Sequence, residues 1–502
     1  MIRSRALALL LLAGCVRLAV STAQAYDVAG FGAKGDGKAD DTAAINAAIA
    51  AASRAGGGTV EFGPGNYLAG SIHLRSHVNL HLGAGSVIVA TENEAAYDKP
   101  EPNSWGDDRH YQDFGHSHWH DSLIWGEDLV DVSITGQGEI FGKGLNRGHQ
   151  ERDHLPQGVG NKAIALKNCR NVLLRDFTIA HGGWFGILAT GVDNLTIDNL
   201  RIDTNRDGMD IDCCHNVRVS NCSVNSPWDD GICLKSSFGL GQFRSTENVT
   251  ISDCLVSGYD EGTLLDGTRK HDAARIPEPT GRIKFGTESN GGFIGVTVTN
   301  CVFECCRGLA LETVDGADLE DVTISNISMR RIFQAPIFVR LGERMRGPGG
   351  TPVGILRRVV IGNVTADGVE GGQGILIAGL PGHAIKGLEL HDVRMRFAGG
   401  GTAESAKRVV PELEREYPEP GSFGATPGWA LYARHARDLA LHDVSFEAAS
   451  PDGRPAIAFD DVSGADLGHV TAKAPGGCTP IVTTNSAAVS LQGVVGGDAG
   501  GR

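Results

Sequence analysis

Aromatic residues make up only 6% of this 502-residue chain, methionines number five, and lysine plus arginine (45) fall well short of aspartate plus glutamate (60). Each shortage excludes something. A formal charge of −15 leaves no broad basic surface for a polyanion, so nucleic acid is excluded as a partner. The same field repels an acidic polysaccharide at long range, so such a substrate would need a local basic subsite. Beyond the first 25 residues no apolar run is long enough to cross a bilayer as a helix. No Pro-rich or polar linker divides the chain, which predicts one domain over 26–495 and a flexible tail over 496–502. All cysteines but Cys15 fall in that domain, none with CxxC spacing, and Cys213-Cys214 and Cys305-Cys306 are adjacent pairs. A cysteine zinc site is therefore excluded, while disulfides and a buried stack of thiols both stay open.

The N-terminus reads as an export signal, with Arg3 and Arg5 ahead of the apolar run 6–13. Ala23-Gln24-Ala25 fits cleavage by ordinary signal peptidase, whereas Leu12-Ala13-Gly14-Cys15 fits a lipoprotein signal with a lipid anchor on Cys15. Either reading sends the protein out of the cytoplasm, as a periplasmic, secreted or membrane-tethered monomer. Cleavage after Ala25 removes Arg3, Arg5 and Arg17 and makes the mature chain more acidic still.

What the chain has instead is glycine, 70 residues of it, and a recurring phrase. Asn171-Val-Leu-Leu-Arg-Asp-Phe177, Asn194-Leu-Thr-Ile-Asp-Asn-Leu200, Asn216-Val-Arg-Val-Ser-Asn-Cys222, Asn248-Val-Thr-Ile-Ser-Asp-Cys254 and Gly295-Val-Thr-Val-Thr-Asn-Cys301 alternate apolar and polar residues and then turn. Later copies end at Ile327, Val364, Val393 and Val444. A repeat of this length means a solenoid, and period-two alternation rich in β-branched residues makes its unit a short strand. The leucine frame of a leucine-rich repeat is missing. The fold class expected is all-β, a single-stranded right-handed parallel β-helix, with columns of equivalent residues such as Cys222, Cys254 and Cys301 in its core. One helix is expected near the start, capped by Asp41 or Thr42, with Ala44, Ile45, Ala48, Ile49 and Ala52 on one face, covering the open first coil.

Counting seven residues on from the anchors Leu200, Cys222 and Cys254 gives Asp207, Asp229 and Glu261, with Asp230 and Asp260 beside them. Stacked like charges raise one another's pKa and so keep one carboxylic acid protonated for general-acid work. Asp-Gly pairs such as Asp207-Gly208 and Asp230-Gly231 are also ordinary turn dipeptides. A turn does not account for two consecutive acids over a third.

Several segments together resemble glycoside hydrolase family 28, the polygalacturonases. Phe31-Gly-Ala-Lys-Gly-Asp-Gly37, Asp40-Asp-Thr42, Gly56-Gly-Gly-Thr-Val60 and Gly70-Ser-Ile-His-Leu74 look like the N-terminal part of pectin-degrading β-helix proteins. Leu123-Ile-Trp-Gly-Glu-Asp-Leu129 and Ile134-Thr-Gly-Gln-Gly-Glu-Ile140 resemble the family's entry coils, Asn205-Arg-Asp-Gly-Met-Asp210 its Asn-Thr-Asp-Gly element, and Asp229-Asp-Gly-Ile-Cys-Leu-Lys-Ser236 its Asp-Asp element. The resemblance implies an inverting hydrolase of pectic polysaccharide. In it Asp229 protonates the departing oxygen, Asp207 and Asp230 hold the attacking water, Asn205 and Lys235 lie at the substrate, and no metal or other cofactor takes part.

Two places depart from the family. Where a Gly-His-Gly is usual, Tyr259-Asp-Glu-Gly262 puts Asp260 or Glu261 in place of the histidine. The family's Arg-Ile-Lys, which binds a substrate carboxylate, is matched by Arg282-Ile-Lys284, yet coil counting places that triplet in a long insertion after the Cys254 coil. The register instead sets Arg307-Gly-Leu-Ala-Leu-Glu-Thr313 at the basic position, with Ala310 and Glu312 for Arg and Lys. Either Arg282 and Lys284 fold back into the subsite or the carboxylate subsite is lost; Lys235, Arg206, Arg307 and Arg340 are other sources of positive charge. The stretch 109–121 alternates His116, His118 and His120 and could suggest zinc with His110 or Asp121, but with Trp105, Tyr111 and Trp119 it reads rather as a sugar-stacking wall. A β-helix lyase, which commonly needs calcium, and a non-catalytic glycan-binding solenoid are the rival functions.

Overall fold

The computed structural model describes residues 25–106, 111–146 and 161–499. The export signal, Cys15 and His110 lie outside them. Strand pairing is parallel throughout and each strand pairs with its equivalent one coil away, so the chain winds as a parallel β-helix of three sheet faces. One face runs through Ile124–Glu127, Ile164–Lys167, Ile187–Thr190, Met209–Asp212, Ile232–Ser236 and Ile283–Ser289. Its register is Ile187 to Met209 to Ile232 to Ile283. These residues point inward and are fully buried, each contributing roughly 1.5–3 kcal/mol by leaving water. The intervening residues point outward, and they make the site.

The repeated phrase supplies the second face and the corners at its two ends, and the third-face strands Arg201–Asp203, Ser223–Asn225 and Leu255–Ser257 follow it. Its first Asn adopts a left-handed backbone at Asn171, Asn194, Asn216 and Asn248 (φ 56–58°), a conformation that asparagine tolerates because its short side chain bonds locally. These amides stack into a ladder: Asn194 Nδ2 donates to Asn171 Oδ1 at 2.9 Å, Asn216 to Asn194 at 3.2 Å and Asn248 to Asn216 at 3.3 Å. Beyond the next corner the Leu200 and Cys222 carbonyls accept from Ser223 and Leu255 of the following coil, so the anchors do form a column. The cysteines of the described residues are free thiols, and Cys222, Cys254 and Cys301 stack in that column.

The helix spans Thr42–Arg54, buries Ile45, Ala48, Ile49 and Ala52, and lies on the first coils. Its cap differs from expectation. Asp40 Oδ1 accepts from the Thr42 amide at 3.0 Å, whereas Asp41 turns away to accept from the Lys34 and Gly35 amides. At the other end, Val495–Asp498 forms a strand paired with 471–474, so Gly496, Gly497 and Asp498 belong to the last coil rather than to a loose tail: even glycines stay in place where a strand edge offers them hydrogen bonds.

Candidate active site

Asp207 and Asp230 occupy one lateral position, two residues ahead of the register pair Met209 and Ile232. The Asp230 amide donates to Asp207 Oδ1 at 3.2 Å and to Asp229 Oδ1 at 3.1 Å, so one N–H gathers two carboxylates around a third. Asp207 and Asp230 are buried, while the Asp229 side chain is 24% exposed at the mouth of the cleft. The column is therefore Asp207 over Asp230, with Asp229 beside it. Counting seven residues from the anchors stacks Asp229 on Asp207 instead. Met209 follows Leu200 by nine residues and Ile232 follows Cys222 by ten, and a corner one residue longer shifts the count by one.

Glu261 leaves the column altogether. Residues 259–281 bulge from the corner after the strand Leu255–Ser257, and inside that loop Glu261 Oε1 meets His181 Nδ1 at 2.8 Å, while Asp260 accepts from the Asp272 amide. The loop closes on Arg282-Ile283-Lys284, which is the strand next to Ile232–Ser236, not a part of the insertion. The triplet therefore folds back beside the carboxylates. Arg282 Nε donates to Asp230 Oδ1 at 2.7 Å and Lys284 Nζ lies 3.3 Å from Asp230 Oδ2. Ala310 stands one coil further on, opposite Lys284, and Glu312 reaches back to within 3.7 Å of the same ammonium.

These neighbours set the charge states. Burial pushes the Asp207 carboxyl well above its ordinary range, and Asp210 and Asp229 push it further. Burial acts in the same direction on Asp230, but Lys284 and Arg282 overcome it and hold Asp230 far down, as a carboxylate. Burial also works against the Lys284 charge, and Asp230 and Glu312 more than offset it. Glu312 is raised by burial to about 7, with Lys284 and Arg282 opposing. Two adjacent coils thus present one carboxyl that favours its proton and one that does not.

Loops wall this patch in. Upstream, Leu188 pairs in register with Asp210 and is covered by Trp119 and Phe185. Downstream, the outward residues Ala310, Phe338, Leu376 and Tyr432 lie under a strap, residues 405–427, through Val410 and Phe423. Between those covers the polar face is three coils wide, at Asp210, Cys233 and Lys284, roughly 10 Å from first to third. The strap also sends Glu419 to Arg282 (2.9 Å) and Arg307 (3.0 Å), and the Tyr417 hydroxyl to Lys284 (3.2 Å) and Thr287 (2.9 Å). Neither residue had a signal in the sequence, being more than a hundred positions from its partners.

The other expected residues fall out as follows. Asn205 is buried beside Asp207 and its carbonyl accepts from the Trp228 amide. Arg206 lies over Trp184, 4.0 Å from the ring centre, and 3.1 Å from Asp229. Lys235 is buried against Glu288 at 3.0 Å, and Asp210 is 4.0 Å away. Arg340 is not at the site; its guanidinium ties the strap down through the Glu412 and Leu413 carbonyls. The histidines do not share a strand face, because Phe114–Ser117 is a helical turn. His116 meets Asp210 at 3.2 Å, His118 meets the Phe114 carbonyl and His120 meets Glu127. His116, Asp207 and Asp210 do bring ligand atoms within 4.8 Å of one another, although the Lys235 ammonium already supplies positive charge there. Trp119 is fully buried and packs under the site instead of facing a sugar.

Residues 157–274 match the family described as "Right handed beta helix region", and residues 25–105 match "Rhamnogalacturonase A/epimerase, pectate lyase-like". A probable polygalacturonase of Vitis vinifera is 27% identical over 53% of this chain and 57% of its own length. The chain is a divergent, polygalacturonase-like β-helix protein. Among solved structures, an exopolygalacturonase from Thermotoga maritima aligns with a TM-score of 0.60 at 20% identity, over 74% of this chain and 87% of that one. The family 28 exopolygalacturonase of Yersinia enterocolitica aligns at 0.55 and 18%, over 93% and 78%. The polygalacturonase-like chain shares their fold, and it spans little more than half the length of the first curated relatives it matches.

Proposed function

We propose that the protein is an exported, monomeric glycoside hydrolase acting on pectic polysaccharide or oligosaccharides, with inversion at the anomeric carbon. Asp229 protonates the departing oxygen and Asp230 orients the attacking water. The observation that carries this is the single Asp230 amide shared by Asp207 and Asp229, next to an Asp230 kept ionised by Arg282 and Lys284. Asp207, buried and crowded by like charge, favours its proton, and the shared Asp230 amide holds it beside Asp229, the member open to solvent. General acid and general base, one protonated and one not, are what hydrolysis of a glycosidic bond requires. The relatives' names, polygalacturonases from two plants, support the pectic choice.

Elimination is the less suited chemistry here. A lyase needs a side chain that accepts a proton from the sugar, and the cationic candidates, Arg282 and Lys284, are both held charged by the carboxylates around them. The test is reducing-end release from polygalacturonan, rhamnogalacturonan, xylogalacturonan and neutral glycans, by the parent and by Asp229→Asn, with and without EDTA. Saturated products that vanish in the variant and ignore EDTA support the assignment. Unsaturated, ultraviolet-absorbing products, or a variant as active as the parent, would overturn it.

A further inference from the structure

Resting on the hydrolase reading, we infer that the sugar unit facing Arg282 and Lys284 is uncharged, and that Glu419 is the residue that excludes a uronate there. Each cation around the catalytic carboxylates already has a carboxylate of the protein against it. Arg206 has Asp229 at 3.1 Å, Lys235 has Glu288 at 3.0 Å, and Arg307 has Glu419 at 3.0 Å. Arg282 has Asp230 at 2.7 Å on one side and Glu419 at 2.9 Å on the other. Lys284 has Asp230 at 3.3 Å and Glu312 at 3.7 Å. One shell further out, Arg344 meets Asp315 at 2.5 Å and Arg346 meets Asp113 at 2.9 Å.

A uronate binds through an Arg or Lys whose charge is available to it. Here the carboxylate position beside Arg282 and Arg307 is filled from within by Glu419, a side chain only 23% exposed, and an incoming carboxylate would meet it as a like charge. Juxtaposed like charges at a desolvated contact cost several kcal/mol. A neutral sugar meets the opposite situation. Its hydroxyls donate to carboxylate oxygens at no Coulombic cost, and the half-exposed ring of Tyr417, which lies near Lys284 and Arg344, gives its apolar face a surface to pack on. Glu419 arrives from the strap and Glu312 from the coil beyond Lys284, so two separate parts of the chain bring carboxyl groups to one small position.

The test uses pectin-derived oligosaccharides and the same oligosaccharides after their carboxyl groups have been reduced to primary alcohols, a pair alike in linkage and ring stereochemistry and different in charge. Affinity and release of saturated reducing ends are measured for the parent, Glu419→Gln and Glu419→Asp, at low and high salt. The expected result is at least about a tenfold preference for the reduced form, with an affinity for it that salt does not change. Glu419→Gln should move the preference about tenfold toward the acidic form and Glu419→Asp should leave it in place, a contrast that simple loosening of the strap would not give. If saturated products appear but the acidic form is preferred by the parent, or Glu419→Gln leaves the ratio unmoved, this inference falls and the hydrolase reading stands. If neither form is bound or cut, both fall together.

Discussion

Two stretches of one sheet face have the same register and opposite surfaces. At Asp210 and Lys284 the outward positions are charged and face other charges, and between them the Cys233 thiol donates to the Gly286 carbonyl. At Phe338, Leu376 and Tyr432, a few coils on, they are apolar and buried under Val410 and Phe423. Both are built from parallel strands paired coil to coil. What differs is the loop laid over each, and the comparison teaches that this solenoid assigns roles to identical strand positions by what its corners send across them. The charged stretch has ion pairs, costly to desolvate and weak as a source of stability; the apolar stretch has packing. Function and stability should therefore separate under mutation.

The largest effect expected is on rate. Asp229→Asn should lower kcat by about 10²–10⁴-fold while the thermal midpoint barely moves, because the side chain sits at the cleft mouth. A kcat within tenfold of the parent's would remove the chemistry from the charged stretch. Phe338→Ala should do the reverse, lowering the unfolding free energy by about 3–5 kcal/mol, since a fully buried ring packed on Phe423 would leave a cavity. Denaturant titration checks this, and an unchanged midpoint would mean that the strap, not the face, holds that region.

Next comes Glu312. Its folded pKa of about 7 lies above its ordinary value of 4.5, so the folded state binds the proton more tightly than the unfolded chain. That stability is fully present below pH 4.5 and is lost as pH rises through 7. Glu312→Gln should flatten the decline between those values, a change on the order of 1–3 kcal/mol; a pH profile of stability identical to the parent's would mean that Glu312 ionises normally. The smallest effect belongs to the corner ladder. Asn216→Ala should cost about 1 kcal/mol and leave kcat unchanged, and a loss of activity there would show that the corners couple to the site.

The repeated phrase made the solenoid legible because its physics is local: alternation sets the strand, and an Asn that accepts a left-handed backbone sets the corner. The two Asp coils were legible for the same reason, down to a slip of one residue where the second corner is longer. Local counting could not follow residues 259–281, because a loop that leaves the coil carries no register, and so Glu261 was placed in a column it does not join and Arg282 outside one that it does. Glu419 and Tyr417 were invisible. Their only structure-forming contacts lie in other coils, and nothing in their own neighbourhood repeats.

The return of Arg282 into register after that loop also bears on how such a protein can change. The corner between Leu255–Ser257 and Ile283–Ser289 takes an excursion of many residues while the strands on either side keep their pairing with the coil before. Chain length inside this loop is therefore open to change as long as Thr280 and Gly281 keep their bonds to the Pro227 and Asp229 carbonyls: loops of other sizes could be grafted there, altering what overhangs the site while the carboxylates beneath stay where they are.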